Sequence, residues 1–391
     1  MNRGARIAAE AGLGALAALL FACAAHCDLP WFERHAFLPY GFVQLRPTWV
    51  ATLVRLGLGV AGALVVLVIR PRVARAVSRH PWRSLGLGSL RLALAVALAL
   101  VATEWTLRAR WQRRVRHRDT DSILQLRLGH SDPRLGWAFD RSRTADVPIG
   151  GRTVRFAVDA EGNRAPTQDA RTDPAKATLI VAGESIAAGQ GLDYGETFAA
   201  LASEELSLQP LNVAVHGYGS DQSYLRLVDE LARLQKPAVV VMLFVPAQVM
   251  RNLQDSRPHL VLKAGRLVLE QPASGFFARL ELRGLWRSEV PVLGERALEQ
   301  GLALTKAILR ETAALVRARG ATPLFLLPSE GPDRPFAAHR EAALWRELFV
   351  EQGLPFAVAD LDPSWVIPGD FHPDARAARK MAAEIVRALR R

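Results

Sequence analysis

A serine at a turn, and an aspartate two residues before a histidine, are the features of this 391-residue chain whose types and spacing could do chemistry together. Gly183-Glu184-Ser185 follows the short apolar run Ala177–Ala182, and Gly369-Asp370-Phe371-His372-Pro373 stands just before the carboxy-terminal helical pattern. A serine hydroxyl is a poor nucleophile at neutral pH until a base removes its proton, and that base needs a partner to stabilise its cation. Residues two apart in an extended segment project to the same side. Asp370 can therefore hold the His372 imidazole in one tautomer while the other ring nitrogen faces Ser185. A serine at a strand-to-helix turn also points its own N–H at the place where an oxyanion would form. Each feature has a plainer reading: a Gly-x-Ser turn or helix cap, and Asp370 or Asp374 complementing a helix dipole.

A third block, Asn212 to Gln222, is a glycine-rich turn entering a helix, and Gly217 is free to bring its amide close to a substrate. Ser220 or Asp221 is the candidate cap of that helix. His216 reads as a loop or core histidine rather than a catalytic one, because His372 is better placed.

The elements that must position these blocks alternate in type. Ala177–Ala182, Leu211–Val215, Ala238–Val245, Thr322–Leu327 and Pro355–Ala359 are short, nearly unbroken apolar runs, which suit strands buried on both faces. Helical patterns intervene at about 196–207, 222–234, 295–318, 334–351 and 374–389. The expected domain, 175–391, is a three-layer α/β/α sandwich of flavodoxin-like type with a parallel five-stranded sheet, and ligand sites in such sheets form at the carboxyl ends of the strands. A hairpin is expected near 259–269, inserted where it can shape a pocket with Gln271 to Pro291. Residues 119–174, with Leu135-Gly136-Trp137 and Asp159 to Arg164, read as a lead-in of small β structure.

Together the Gly-Glu-Ser block, the Asn212–Gln222 block and the Asp-x-His block resemble the SGNH (GDSL-like) hydrolases, over roughly 175–391. The lead-in containing Leu135-Gly136-Trp137 is similar to segments that precede this domain in membrane-attached members. The resemblance implies Ser185 as nucleophile and first oxyanion donor, Gly217 as second donor, His372 as base and Asp370 as its orienting acid, with no cofactor and no metal. Two departures stand out. Glu184 replaces the usual, shorter Asp. Pro246-Ala247-Gln248 replaces a Gly-Asn-Asp whose asparagine gives a third oxyanion contact, and one such donor is worth about 3–4 kcal/mol. Gln248 and Asn252, within one helical turn, are the candidate substitutes.

Residues 1–118 differ in kind, with apolar runs separated by arginines. Ile7–Cys27, Trp49–Ile69 and Leu85–Leu107 approach the ~20 apolar residues a transmembrane helix needs. The formal net charge of +12 includes arginine clusters at 72–83 and 108–118 that flank these runs, so the bilayer is the expected partner and nucleic acid is not. Asn2-Arg3-Gly4-Ala5-Arg6 before an apolar run reads like a signal anchor, which makes the chain a multi-pass membrane protein with its catalytic domain outside the cytoplasm. The two cysteines, Cys23 and Cys27, both fall in the first apolar segment and leave the rest without a disulfide. The expected function is a membrane-anchored serine ester hydrolase acting on acyl or acetyl esters of envelope glycans or lipids. Two alternatives stay open: an O-acyltransferase for a cell-surface polysaccharide, and a catalytically silent glycan-binding or assembly protein.

Overall fold

The computed structural model describes residues 3–27, 47–79, 94, 97, 98, 100–106, 128–272, 295–329, 341–370 and 372–391. They fall into two compact units, one from the residues up to 106 and one from those from 128 onward, Glu295 apart.

In the first unit, α1 (Arg3–His26) packs against α2 (Pro47–Leu64), which runs through a π-helical turn, Val65–Ile69, into α3 (Arg70–Arg79). Two of its arginines find partners: Arg55 Nε donates to the Ala24 carbonyl at 3.0 Å, and Arg70 lies 3.7 Å from Glu10. Ala24 is in the last turn of α1, where carbonyls lack intrahelical donors and a cation is favoured. Leu53, Leu56, Val60 and Leu67 expose their side chains. Among the described residues, Thr52–Arg75 is the one helical stretch long and apolar enough to cross a membrane; the apolar part of α1, Glu10–His26, is shorter. Thus one span, not the expected three, is visible, and the Leu85–Leu107 segment lies largely outside the described residues.

The second unit begins with a hairpin of β1 (Gly129–Asp132) and β2 (Gly136–Phe139), then β3 (Arg143–Ile149), β4 (Arg152–Val158) and the two-residue β5 (Arg164–Ala165). There follow β6 (Thr178–Ala182), α4 (Ser185–Ala188), α5 (Phe198–Glu205), β7 (Gln209–Asn212), α6 (Ser220–Arg233), β8 (Pro237–Leu243) and α7 (Gln248–Arg251). A second hairpin, β9 (His259–Lys263) and β10 (Arg266–Glu270), precedes α8 (Glu295–Ala318), β11 (Thr322–Ser329), β12 (Phe356–Asp360) and α9 (Ala375–Leu389). Of the expected helix at 334–351 only the part from 341 is described, and it ends in a π-helical turn, Arg346–Val350.

The main sheet has the order β12-β11-β8-β6-β7-β5-β4-β3. From β12 to β7 the neighbours are parallel; from β7 to β3 they are antiparallel. Alternate residues of β6 enter different cores. Leu179 and Val181 join Phe198, Ala202, Met381 and Ile385, while Ile180 and Ala182 join Leu227, Leu231 and Val316. Helices therefore cover both faces, which is why these strands are apolar throughout.

The expected five-stranded parallel sheet needs correction: the sheet is eight-stranded and mixed. The lead-in joins it through Arg164, whose backbone pairs with Asn212. The Arg164 guanidinium is buried 4.0 Å from the Phe156 ring centroid and donates to the carbonyls of Ala157, Ala165, Arg155 and Leu192. Burial pushes its pKa down to about 10, which leaves it charged at neutral pH. Those carbonyl bonds go to its two Nη atoms and offset part of the cost of burying a cation.

Candidate active site

The nucleophile candidate is held by a turn that only glycine fits. Gly183 has φ +148°, and a Cβ there would stand 2.9 Å from Ala187 Cβ and 3.1 Å from Leu243 Cβ. Glu184 then caps α4, its Oε1 accepting the Ile186 N–H at 3.0 Å. Ser185 follows, buried at the carboxyl end of β6.

The partner loop, 366–373, is closed by a bridge between Val366 and Pro373 and by Ile367 N–H donating to His372 C=O at 2.9 Å. Ile367 keys the loop in place: a Cβ on Gly191 or Gly150 would collide with its side chain. His372 Nε2 lies 2.7 Å from Ser185 Oγ, and His372 Nδ1 is hydrogen-bonded to Asp370 Oδ1. Asp370 does not reach His372 from an extended segment, as the spacing alone suggested. It sits in a turn after Gly369 (φ +75°), and its Oδ1 also accepts the His372 backbone N–H at 2.8 Å. Such an aspartate turn fixes carboxylate and imidazole together. Burial pushes the Asp370 carboxyl up, but the His372 hydrogen bonds and charge outweigh it and hold it below the usual range. The plainer reading of this segment is divided between two residues. Asp374 is the cap of α9, accepting from Arg376 and Ala377 N–H, which leaves Asp370 to His372.

The third block faces the same strand ends. Gly217 adopts φ +74°, with Trp137 Cζ2 3.5 Å from where a Cβ would be. Among the described residues, the N–H groups of Ser185 and Gly217 form no hydrogen bond. The α6 cap is Gly219, whose N–H donates to Gln222 Oε1 at 3.0 Å, rather than Ser220 or Asp221. Asp221 is buried against Arg257, with contacts of 2.7 and 2.9 Å. The lead-in holds this block: Trp137 Nε1 donates to His216 C=O at 2.9 Å, Tyr218 Oη to Trp137 C=O at 2.7 Å, and Gln222 Nε2 to Leu135 C=O at 2.6 Å.

Neither candidate substitute for the missing asparagine is directed at Ser185. Asn252 donates both amide hydrogens, to Ser220 Oγ at 2.7 Å and Thr305 Oγ1 at 2.9 Å, while Gln248 Nε2 donates to Leu243 C=O at 3.4 Å. Ala247 packs on the apolar core.

Two residues that touch this constellation carried no signal in the sequence, and a third, Glu184, stood out there only as a replacement for the usual aspartate. Gln190 Nε2 donates to Asp370 Oδ2 at 3.4 Å. Glu184 Oε2 lies 2.6 Å from Ser185 Oγ, and Arg251 Nη1 lies 3.4 Å from that same Glu184 oxygen. Burial raises the Glu184 carboxyl, but Arg251, the Ser185 hydroxyl and His372 more than reverse this and keep it anionic. Among the described residues, no group of three or more His, Cys, Asp or Glu side chains is arranged to hold a metal ion.

No family model matches the chain, and no curated protein matches it. Solved structures do. TesA shares 18% identity over 54% of this chain and 97% of its own, with a TM-score of 0.35. A member of the lipolytic protein G-D-S-L family from Veillonella parvula shares 12% over 55% and 98%, with a TM-score of 0.31. The acetyl xylan esterase Est2A from Butyrivibrio proteoclasticus shares 12% over 56% and 65%, with a TM-score of 0.33. At these identities and scores the likenesses do not assign a reaction to this chain, so its chemistry must come from the side chains themselves.

Proposed function

We propose that the chain is a membrane-anchored serine ester hydrolase of the SGNH type, with Ser185, His372 and Asp370 as its triad. The observation that carries this reading is the continuous contact from Asp370 Oδ1 through both ring nitrogens of His372 to Ser185 Oγ, 2.7 Å from Nε2. With Nδ1–H donated to Asp370, Nε2 keeps a lone pair for the serine proton.

Ser185 Oγ adds to the ester carbonyl as His372 takes its proton, and the oxyanion forms between the N–H groups of Ser185 and Gly217. The carbon–oxygen bond to the alcohol then breaks, with His372 returning the proton to the leaving oxygen. Water, deprotonated by His372, attacks the acyl-enzyme. The acid leaves and Ser185 recovers its hydrogen. The apolar stretch Thr52–Arg75 supports a membrane anchor. With the site outside the cytoplasm, the substrate class is an acyl or acetyl ester of an envelope glycan or lipid.

The test is hydrolysis of p-nitrophenyl acetate by the full chain beside Ser185→Ala and His372→Ala. Each variant should lose turnover by about ten-thousandfold or more. Turnover that survives Ser185→Ala refutes the triad. A folded wild-type chain without turnover leaves the silent glycan-binding domain, and product that appears only with a sugar acceptor leaves the acyltransferase. Protease accessibility showing the site to be cytoplasmic removes the envelope substrate.

A further inference from the structure

One cation beside Ser185 has no part in the scheme above. Arg251, the last residue of α7, places Nη1 3.4 Å from Glu184 Oε2 and 3.3 Å from the Tyr218 carbonyl, to which it donates. Glu184 Oε2 is 2.6 Å from Ser185 Oγ, so Nη1 lies no farther from the nucleophile than 6.0 Å, the two contacts of 2.6 and 3.4 Å laid end to end. Tyr218 follows Gly217 directly. The guanidinium thus stands between the two turns whose N–H groups serve the oxyanion.

Its backbone explains how it comes to be there. Arg251 N–H donates to Ala247 C=O at 3.1 Å, so Arg251 stands one turn above the residue that lacks a side-chain donor. The side chain is 28% exposed, and among the described residues its Nε and Nη2 form no hydrogen bond. Neither group has a competing protein partner among the described residues. Glu184 makes a cation necessary here. A buried carboxylate 2.6 Å from the attacking oxygen opposes the negative charge that grows on the tetrahedral intermediate.

We infer that Arg251 is the third oxyanion-stabilising group of this site, its guanidinium taking the place of the side-chain donor absent at Ala247. This rests on the serine hydrolase reading, which Ser185-dependent turnover of the wild type tests separately.

Arg251 must be separated from a mere counter-ion of Glu184, so the experiment compares Glu184→Gln with Glu184→Gln/Arg251→Met, in which no charge is left unpaired. The full chain and p-nitrophenyl acetate are used. The double variant should lose about a hundredfold in kcat relative to Glu184→Gln while KM stays within about threefold, the loss seen when one oxyanion donor is removed. Adding Ala247→Asn to the double variant should recover about tenfold or more. A kcat within threefold of Glu184→Gln, or a loss that Ala247→Asn leaves unrecovered, overturns the inference while the hydrolase reading stands. Should the methionine variant not fold, Glu184→Gln/Arg251→Lys takes its place: a kcat loss of about tenfold at unchanged KM supports the role, and unchanged kcat overturns it. Absence of Ser185-dependent turnover in the wild type overturns both.

Discussion

His216 gives a prediction that is independent of any substrate. Its ring is buried against Phe139 and Phe156, with centroid separations of 5.7 and 5.5 Å, and among the described residues neither ring nitrogen has a hydrogen-bond partner. Burial first, and the His372 charge next, push its pKa down to about 3 from an ordinary 6.5. Because the folded value is the lower one, the unfolded chain takes up the proton first. Stability is unaffected above pH 6.5 and is lost as pH falls from there towards 3. By pH 5 the loss from this residue alone comes to about 2 kcal/mol. His216→Leu, similar in volume, removes it. In a domain of this size 1 kcal/mol moves the melting temperature by about 2–4 °C. Between pH 8 and pH 5 the wild-type chain should therefore lose about 4–8 °C more than the variant. Carboxylates that titrate in the same range are common to both proteins and cancel in the difference. Equal losses, within about 1 °C, would refute the argument. They would mean that the fold accommodates a charged His216 or supplies it with a partner.

Two further substitutions address the groups that position the site. Asp370→Asn removes the charge that stabilises the His372 cation, and its amide either faces the Gln190 donor or flips and offers the ring a donor, which selects the wrong tautomer; kcat on p-nitrophenyl acetate should fall by about a thousandfold or more with little change in KM. A change confined to KM would contradict the tautomer argument. Arg257→Met leaves the buried Asp221 carboxylate without its bidentate partner beneath the glycine block, and should cost about 3–5 kcal/mol in chemical denaturation. Adding Asp221→Leu should restore part of that loss; a single variant as stable as the wild type would count against the pair's structural role.

What could be read from the sequence was local. The apolar runs announced the central strands because both faces of those strands are buried. The Gly-Glu-Ser and Asp-x-His spacings each lie within one turn, so the residue types alone suggested a serine, a base and an acid. The rest depends on contacts between segments far apart in the chain. Arg164 sits in a stretch that reads only as a turn, yet it carries the lead-in onto the sheet by bonding four carbonyls from three segments. Leu135-Gly136-Trp137 was legible as a motif but not as a support, because its work is done by two backbone carbonyls and one indole N–H that meet residues 216, 218 and 222. Polar donors such as Asn252 could not be assigned either. An amide near a site in sequence is equally able to bond inward, as Asn252 does to Ser220 and Thr305.

The replacement of the usual aspartate by Glu184 looks conservative by residue type, yet it alters the hydrogen inventory around the nucleophile. From Asp370 to Glu184 there are three successive gaps: Asp370 to His372 Nδ1, His372 Nε2 to Ser185 Oγ at 2.7 Å, and Ser185 Oγ to Glu184 Oε2 at 2.6 Å. A neutral imidazole and a serine hydroxyl supply two hydrogens, so one gap stays empty unless the network holds an additional proton. If the hydroxyl turns to Glu184, the base has nothing to accept and the serine is not activated. If it turns to His372, as attack requires, two oxygen atoms face each other with no hydrogen between them, one of them anionic. That state is tolerable only if something else withdraws charge from Glu184. Arg251 is the group that touches the same carboxylate oxygen, at 3.4 Å. The longer acid and the arginine one turn above Ala247 therefore belong to a single arrangement: the acid creates the need for a cation beside Ser185, and the cation that meets it also bonds the carbonyl of Tyr218, next to Gly217.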